Sequence, residues 1–122
     1  PYYAEIAHLK VSAHFFVRRD GELMQFVPLQ ARAWHAGVSS WQGRERCNDF
    51  SVGIELEGDD NTPFTTAQYQ TLGRLLADLQ SVLPLAAVTS HAHVAPGRKS
   101  DPGPCFDWGQ VRAACPDLAV VP

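Results

Sequence analysis

At 122 residues the chain has the length of one domain, since most single domains contain about 100–150 residues. Hydrophobic residues make up 45% of the sequence and charged residues 19%, a balance that excludes a disordered chain. The formal net charge of −3 excludes the strongly basic surface typical of nucleic-acid binding, and no apolar run is long enough to span a bilayer. We therefore expect one domain over residues 1–122, acting on a small or peptide-like molecule and binding neither nucleic acid nor membrane.

The first predicted element is a β-hairpin. Residues 11–18 alternate with the period of a strand, with Val11, Ala13, Phe15 and Val17 on one face. Asp20-Gly21 is a turn signal, and residues 23–27 return as the partner strand. Residues 31–48 then show no period, and a loop of that length in a small domain is usually functional.

A strand, a long helix and a second strand follow. Residues 51–57 alternate, with apolar Val52, Ile54 and Leu56 on one face and Glu55 and Glu57 on the other. Thr65 and Gln68 have the spacing of a capping box that starts an amphipathic helix, which Pro84 ends. Residues 85–90 form a short apolar strand that leads into His91.

A last short helix is predicted after Asp107, its N-cap, with Gln110 at the reciprocal capping position and Pro116 closing it. The predicted fold class is therefore α/β (α+β): a single domain with a mixed β-sheet flanked by helices. We expect Glu55 and His91 at the ends of neighbouring or nearby strands, where functional side chains collect.

The loop at residues 90–104 carries the clearest chemical signal. It holds His91 and Asp101, both natural zinc ligands, within a segment stiffened by three prolines. Lys99 lies two residues before Asp101, so both side chains leave the same face if this part is extended. A cation beside a metal could neutralise an oxyanion on a substrate carbonyl. The loop therefore predicts half of a Zn²⁺ hydrolase site.

Glu55 is the candidate general acid and base, because a carboxylate beside the metal can take a proton from water and later give it to a leaving amine. Glu57 is expected to be a solvated strand carboxylate. His93 forms an H-x-H pair with His91, and on a strand the two could chelate a metal together. We favour His91 alone, because the proline-rich loop should break the strand just after it. His14, on the polar face of its strand, is expected to support the site or line the groove.

Candidate substrate contacts lie in the loop over residues 31–48 and near it. Trp34 and His35 could line a sugar cleft, because flat aromatic faces suit pyranose rings, although Trp34 could instead pack under the loop. Arg46 is the best candidate to bind a substrate carboxylate through its guanidinium group, and Lys10 is a second candidate.

Cys47, Cys105 and Cys115 are an odd number without CxxC spacing. This is a poor disulfide framework and suits a reducing compartment, so we expect free thiols, although Cys105 and Cys115 could pair.

Four segments, residues 11–22, 32–40, 43–58 and 90–104, together resemble the zinc-dependent N-acetylmuramoyl-L-alanine amidases, most closely the AmpD type. The resemblance implies hydrolysis of the amide bond between the lactyl group of N-acetylmuramic acid and L-alanine, acting on 1,6-anhydro-muropeptides in cytoplasmic cell-wall recycling. By position, His91 and Asp101 match two zinc ligands, Glu55 the catalytic carboxylate and Lys99 the transition-state stabiliser. It also implies a mixed sheet with flanking helices and a groove for sugar and peptide. We expect a monomer.

The resemblance also implies a third ligand, a histidine at the end of an early strand, upstream of residue 1. We therefore expect a longer native protein, and poor activity from these 122 residues alone. His93 is a smaller departure from the family pattern, because relatives tend to carry Asp or Asn at this position.

Two other functions stay open from the sequence. One is a non-catalytic peptidoglycan-binding module that keeps the groove without the metal. The other is a secreted wall amidase of the same superfamily.

Overall fold

Short strands and helices alternate in the computed structural model, which describes residues 13–59 and 61–122. The strands are β1 (Phe15–Val17), β2 (Leu23–Gln25), β3 (Ser40–Trp41), β4 (Arg44–Glu45), β5 (Ile54–Leu56), β6 (Ala87–Thr89) and β7 (Ala119–Val121). The helices are α1 (Thr66–Val82), α2 (His91–Val94) and α3 (Trp108–Ala114), and a 3₁₀ turn covers Cys47–Asp49. None of the helices in these ranges combines the length and apolar content needed to cross a membrane.

The predicted hairpin is confirmed, with shorter strands than the pattern indicated. Strand β1 pairs antiparallel with β2, and Gly21 takes a φ of +89° in the turn between them. On its other side β1 pairs in parallel with β5, so it is the central strand of a three-stranded mixed sheet. This explains why Phe16 and His14, which was expected on a polar face, are buried as deeply as Phe15.

The α/β class and the mixed strand pairing are confirmed, but the described strands form separate small sheets and not one sheet. Strand β6 pairs in parallel with β7, a strand that the sequence analysis did not predict because it contains only three residues. Strands β3 and β4 form a small hairpin inside the loop that lacked any period. Its turn residues Gln42 and Gly43 both have positive φ, and Gln42 is not a residue type that signals such a turn.

Helix α1 begins and ends where the sequence indicated. The capping box is present: Thr65 Oγ1 accepts from the Gln68 amide at 3.1 Å, and Gln68 Oε1 accepts from the Thr65 amide at 3.0 Å. The C-cap is Leu83, directly before Pro84. The apolar face of α1 packs on the sheets and on α3, in a core that includes Leu72, Leu76, Phe106, Val111 and Leu118. Helix α3 follows its predicted cap, since Asp107 Oδ1 accepts from the Gly109 amide at 2.9 Å.

Gln68 also joins α1 to the mixed sheet. Its side chain is buried, and Nε2 donates to Val17 O at 3.2 Å and to Glu57 O at 2.8 Å. The same residue therefore caps the helix and fixes it to the ends of β1 and β5, the strand that carries Glu55.

We expect Gln68→Ala to lower the free energy of unfolding by about 2–4 kcal/mol, because it removes three hydrogen bonds and takes the side-chain partner from the half-buried Thr65 amide and Glu57 carbonyl. The matched control is Gln70→Ala, an exposed glutamine on the same helix, which should change stability by less than about 0.5 kcal/mol. Urea denaturation of both variants measures the difference, and equal effects would refute this role of Gln68.

Candidate metal centre

His91 occupies the first position of helix α2, directly after the end of strand β6. Ser90 is the N-cap, and its Oγ accepts from the His93 amide at 2.9 Å. The sequence predicted a proline-rich loop directly after β6, and the structure places a helical turn before the loop. Because residues two apart on a helix point away from each other, His91 and His93 separate. The ring of His93 lies 5.5 Å from the ring of Trp41, on an exposed part of the surface.

Glu55, His91 and Asp101 form a cluster that could hold a metal ion. One ligand atom from each residue lies within 4.8 Å of the other two. His91 Nδ1 contacts Asp101 Oδ2 and lies 3.7 Å from Glu55 Oε1. One imidazole and two carboxylates are a donor set that suits zinc and related divalent metals. The structure thus brings together the predicted ligands, His91 and Asp101, and the predicted catalytic carboxylate.

The backbone positions each member of this cluster independently of any ion. Glu55 is the middle residue of β5 and pairs with Phe16 of the central strand. The Ala92 amide donates to Asp101 O at 3.1 Å, which folds the loop back onto α2. In the described residues β5 and β6 each lie at the edge of a sheet, and both strands line the cavity that the cluster faces.

Burial and neighbouring charges shift the pKa values of the two carboxylates in opposite directions. Burial raises the pKa of Glu55, and the nearby His91 only partly opposes this effect. Burial also acts to raise the pKa of Asp101, but the hydrogen bond and charge of His91 outweigh it and lower the pKa. One carboxyl group is therefore the better proton acceptor, and the other is the better anionic ligand.

Lys99 lies beside the cluster, as the loop pattern predicted. Its Nζ donates to His35 O at 2.9 Å, and its charge acts to lower the pKa of both Glu55 and Asp101. The neighbouring Arg98, which the sequence analysis did not select, donates to Val38 O at 2.9 Å and also contacts Ala36 O. Two adjacent cations thus tie the loop that carries Asp101 to residues 35–38.

His35 lies under the cluster and is 6% exposed, so the structure does not place it on an open sugar cleft. Its Nδ1 lies 3.1 Å from His91 Nε2, and its Nε2 lies 2.9 Å from Ser51 Oγ. Burial, followed by the charge of His91, lowers the pKa of His35 to about 4. His35 is therefore a neutral imidazole in contact with the predicted metal ligand.

His14 is also buried, and both of its ring nitrogens have backbone partners. Nε2 lies 2.7 Å from Ala31 O, and Nδ1 accepts from the Gly53 amide at 3.1 Å. His14 therefore joins the loop before Trp34 to the strand that carries Glu55. This placement favours a supporting role for His14 over direct contact with substrate.

The remaining predicted substrate contacts lie at the surface or outside the described residues. Trp34 is 61% exposed, and the Arg32 guanidinium lies 5.0 Å from its ring centroid, so Trp34 does not pack under the loop. Arg46 is exposed and has a φ of +57°. Lys10 lies outside the described residues.

Comparison with known proteins shows which family the chain matches. Residues 1–104 match the model of the N-acetylmuramoyl-L-alanine amidase family. The chain is 59% identical over 115 residues to the 1,6-anhydro-N-acetylmuramyl-L-alanine amidase AmpD of Salmonella typhimurium, an alignment that covers 93% of this chain and 62% of the relative. The AmpD of Escherichia coli is also 59% identical, over 114 residues, with 92% of this chain and 62% of the relative covered.

Solved structures show the same fold. A selenomethionine derivative of AmpD superposes with a TM-score of 0.81 at 58% identity, over 93% of this chain and 65% of that chain. The amidase AmiD of Escherichia coli, solved in complex with its substrate anhydro-N-acetylmuramic acid-L-Ala-D-γ-Glu-L-Lys, gives a TM-score of 0.86 at 35% identity, over 97% of this chain and 53% of that chain. The chain thus spans about three fifths of the length of the AmpD relatives that it matches.

Proposed function

Because the chain belongs to the N-acetylmuramoyl-L-alanine amidase family, we propose that it hydrolyses the amide bond between the lactyl group of N-acetylmuramic acid and L-alanine. We further propose that the substrate is a 1,6-anhydro-muropeptide released during cell-wall recycling. The observation that carries the proposal is the convergence of Glu55, His91 and Asp101 within 4.8 Å. The names of the AmpD relatives and the substrate bound to AmiD support the choice of bond and of sugar.

His91 and Asp101 would hold Zn²⁺ through Nδ1 and a carboxylate oxygen. The proposal keeps the expectation of a third ligand, a histidine from outside these 122 residues, because catalytic zinc sites commonly have three protein ligands. When bound, zinc supplies a Lewis acid that polarises the scissile carbonyl and lowers the pKa of water.

Glu55 is proposed to move the proton. Its carboxylate accepts a proton from the attacking water and later donates it to the nitrogen of the departing L-alanine. The raised pKa of Glu55, caused by burial, makes the carboxylate a stronger base than an exposed glutamate. Lys99 is proposed to stabilise the negative charge that develops on the carbonyl oxygen, since its ammonium group lies beside the same cluster.

Substrate binding is assigned to the surface around the loop over residues 31–48. The exposed ring of Trp34 is proposed to stack on the sugar, and Arg46 and Lys10 to bind stem-peptide carboxylates. The buried His14 and His35 would contribute by holding this loop and the metal ligand in place.

We propose a cytoplasmic monomer that binds neither nucleic acid nor membrane. The support for the compartment is that Cys47 and Cys115 are buried and form no disulfide, as expected of a protein from a reducing environment.

The test is turnover of two substrates, an anhydro-muropeptide and whole sacculi, by the complete gene product with measured zinc content. We expect about one zinc per chain, release of the L-alanine-terminated peptide from the anhydro-muropeptide, and loss of turnover with a chelator that added zinc restores. Binding without release, in a protein that contains no zinc, would establish the non-catalytic module. Preference for sacculi would establish a wall amidase.

A further inference from the structure

A chain of hydrogen bonds runs from His91 away from the cluster to a backbone carbonyl. Ser51 Oγ donates to Cys47 O at 2.5 Å. His35 Nε2 lies 2.9 Å from Ser51 Oγ, and His35 Nδ1 lies 3.1 Å from His91 Nε2. His35 and His91 are both largely buried, so bulk water does not compete for these contacts.

The carbonyl at the end of the chain fixes the direction of every hydrogen bond. A carbonyl oxygen can only accept, so the single hydroxyl proton of Ser51 points to Cys47 O, and Ser51 Oγ accepts from His35 Nε2–H. A neutral imidazole carries one N–H, so His35 Nδ1 holds a lone pair and accepts from His91 Nε2–H. With its proton on Nε2 committed to His35, Nδ1 is the ring nitrogen of His91 that faces Asp101 and Glu55.

The packing around His35 keeps its ring in this orientation. A Cβ added to Gly53 would lie 2.4 Å from His35 Cγ, so glycine is the residue that lets β5 approach the ring this closely. On the backbone of His35, Lys99 Nζ donates to the carbonyl oxygen at 2.9 Å. Rotation of the ring away from His91 would break the contacts that its two nitrogens make with His91 and Ser51.

We propose that His35 and Ser51 are positioning residues that hold His91 in its Nε2-protonated tautomer and present Nδ1 to the metal. This inference rests on the proposed zinc amidase function, and it adds the residues that prepare the ligand before the metal arrives. Hydrogen-bond partners of metal-bound histidines fix tautomer and ring orientation in this way, and their loss typically costs about 10- to 100-fold in metal affinity.

The first test is ¹⁵N NMR of the imidazole nitrogens in the metal-free complete gene product, with His91 assigned by comparison with His91→Gln. We expect His91 protonated at Nε2 and His35 also protonated at Nε2. A wild-type protein in which Nε2 of His91 carries no proton would overturn the proposal without any further variant.

The second test measures zinc dissociation constants by chelator competition for Ser51→Ala, Ser51→Thr, His35→Leu and His35→Asn. Ser51→Ala and His35→Leu should weaken zinc binding by about 10- to 100-fold. Ser51→Thr keeps the hydroxyl, and the amide oxygen of His35→Asn can accept from His91 Nε2–H, so both should retain most of the affinity. Thermal unfolding of the metal-free variants separates this effect from a general loss of stability.

These measurements distinguish a wrong positioning role of His35 and Ser51 from a wrong amidase function. If the wild-type protein binds zinc and cleaves the amide while Ser51→Ala and His35→Leu keep the wild-type zinc affinity, the positioning role is wrong and the amidase assignment stands. If the wild-type protein neither binds zinc nor cleaves the amide, the proposed function is wrong, and the positioning role fails with it.

Discussion

Replacing Glu55 with glutamine should lower kcat by about 10²- to 10⁴-fold while leaving the zinc content unchanged, because that is the range expected when one general acid–base group is removed. Glutamine keeps the size of the side chain and can still form hydrogen bonds, but it cannot take a proton from water. Glu55 lies at the centre of β5, so the variant should keep the strand pairing with β1. Steady-state kinetics together with elemental analysis would measure both effects.

Glu57→Gln is the matched control. Glu57 lies two residues after Glu55, so along an extended chain the two side chains lie on the same side. Glu57 Oε1 accepts from the Arg19 amide at 2.8 Å, a contact that a glutamine oxygen can also make. We expect this variant to retain nearly wild-type turnover. If Glu57→Gln lost as much turnover as Glu55→Gln, the loss would come from disturbance of the strand and not from the missing proton transfer.

Replacing His91 with alanine should weaken zinc binding by more than about 100-fold, since loss of a ligand should exceed the effect of losing one of its hydrogen-bond partners. Turnover should fall with the zinc content. The structural reason is that His91 Nδ1 lies at the centre of the cluster, in contact with Asp101 and 3.7 Å from Glu55. Chelator competition and elemental analysis measure the affinity and the stoichiometry.

His93→Ala is the control for this variant, because it removes an imidazole two residues away that contacts Trp41 and not the cluster. We expect wild-type zinc content in this variant. If His93→Ala lost zinc and His91→Ala kept it, the ligand would be the other member of the H-x-H pair.

Much of the fold was predictable because the relevant signals are local. The hairpin from β1 to β2, the capping box of α1 and the N-cap of α3 each depend on residues close in sequence. The short strand β7 and the hairpin of β3 and β4 could not be predicted in this way. Each contains only two or three residues, and their partners and turn geometry come from tertiary packing.

The candidate site also contains residues that local sequence signals predicted and residues that they did not. Residue type and spacing pointed to His91, Lys99 and Asp101, because all three lie within one short stretch of sequence. The roles of His35 and Ser51 depend on contacts that span 56 and 16 positions in the sequence, and a histidine beside a tryptophan was more readily interpreted as part of a sugar cleft. Only the folded chain shows that His35 contacts His91.

Zinc-edge anomalous diffraction from crystals of the complete gene product would show whether His91 and Asp101 hold a zinc ion. We expect one strong peak at about 2.0–2.2 Å from His91 Nδ1 and from an Asp101 carboxylate oxygen, the distances of ordinary zinc ligands, with the Glu55 carboxylate facing the same point. A peak bound by His93 in place of His91, or zinc-soaked crystals with no peak beside Asp101, would contradict it.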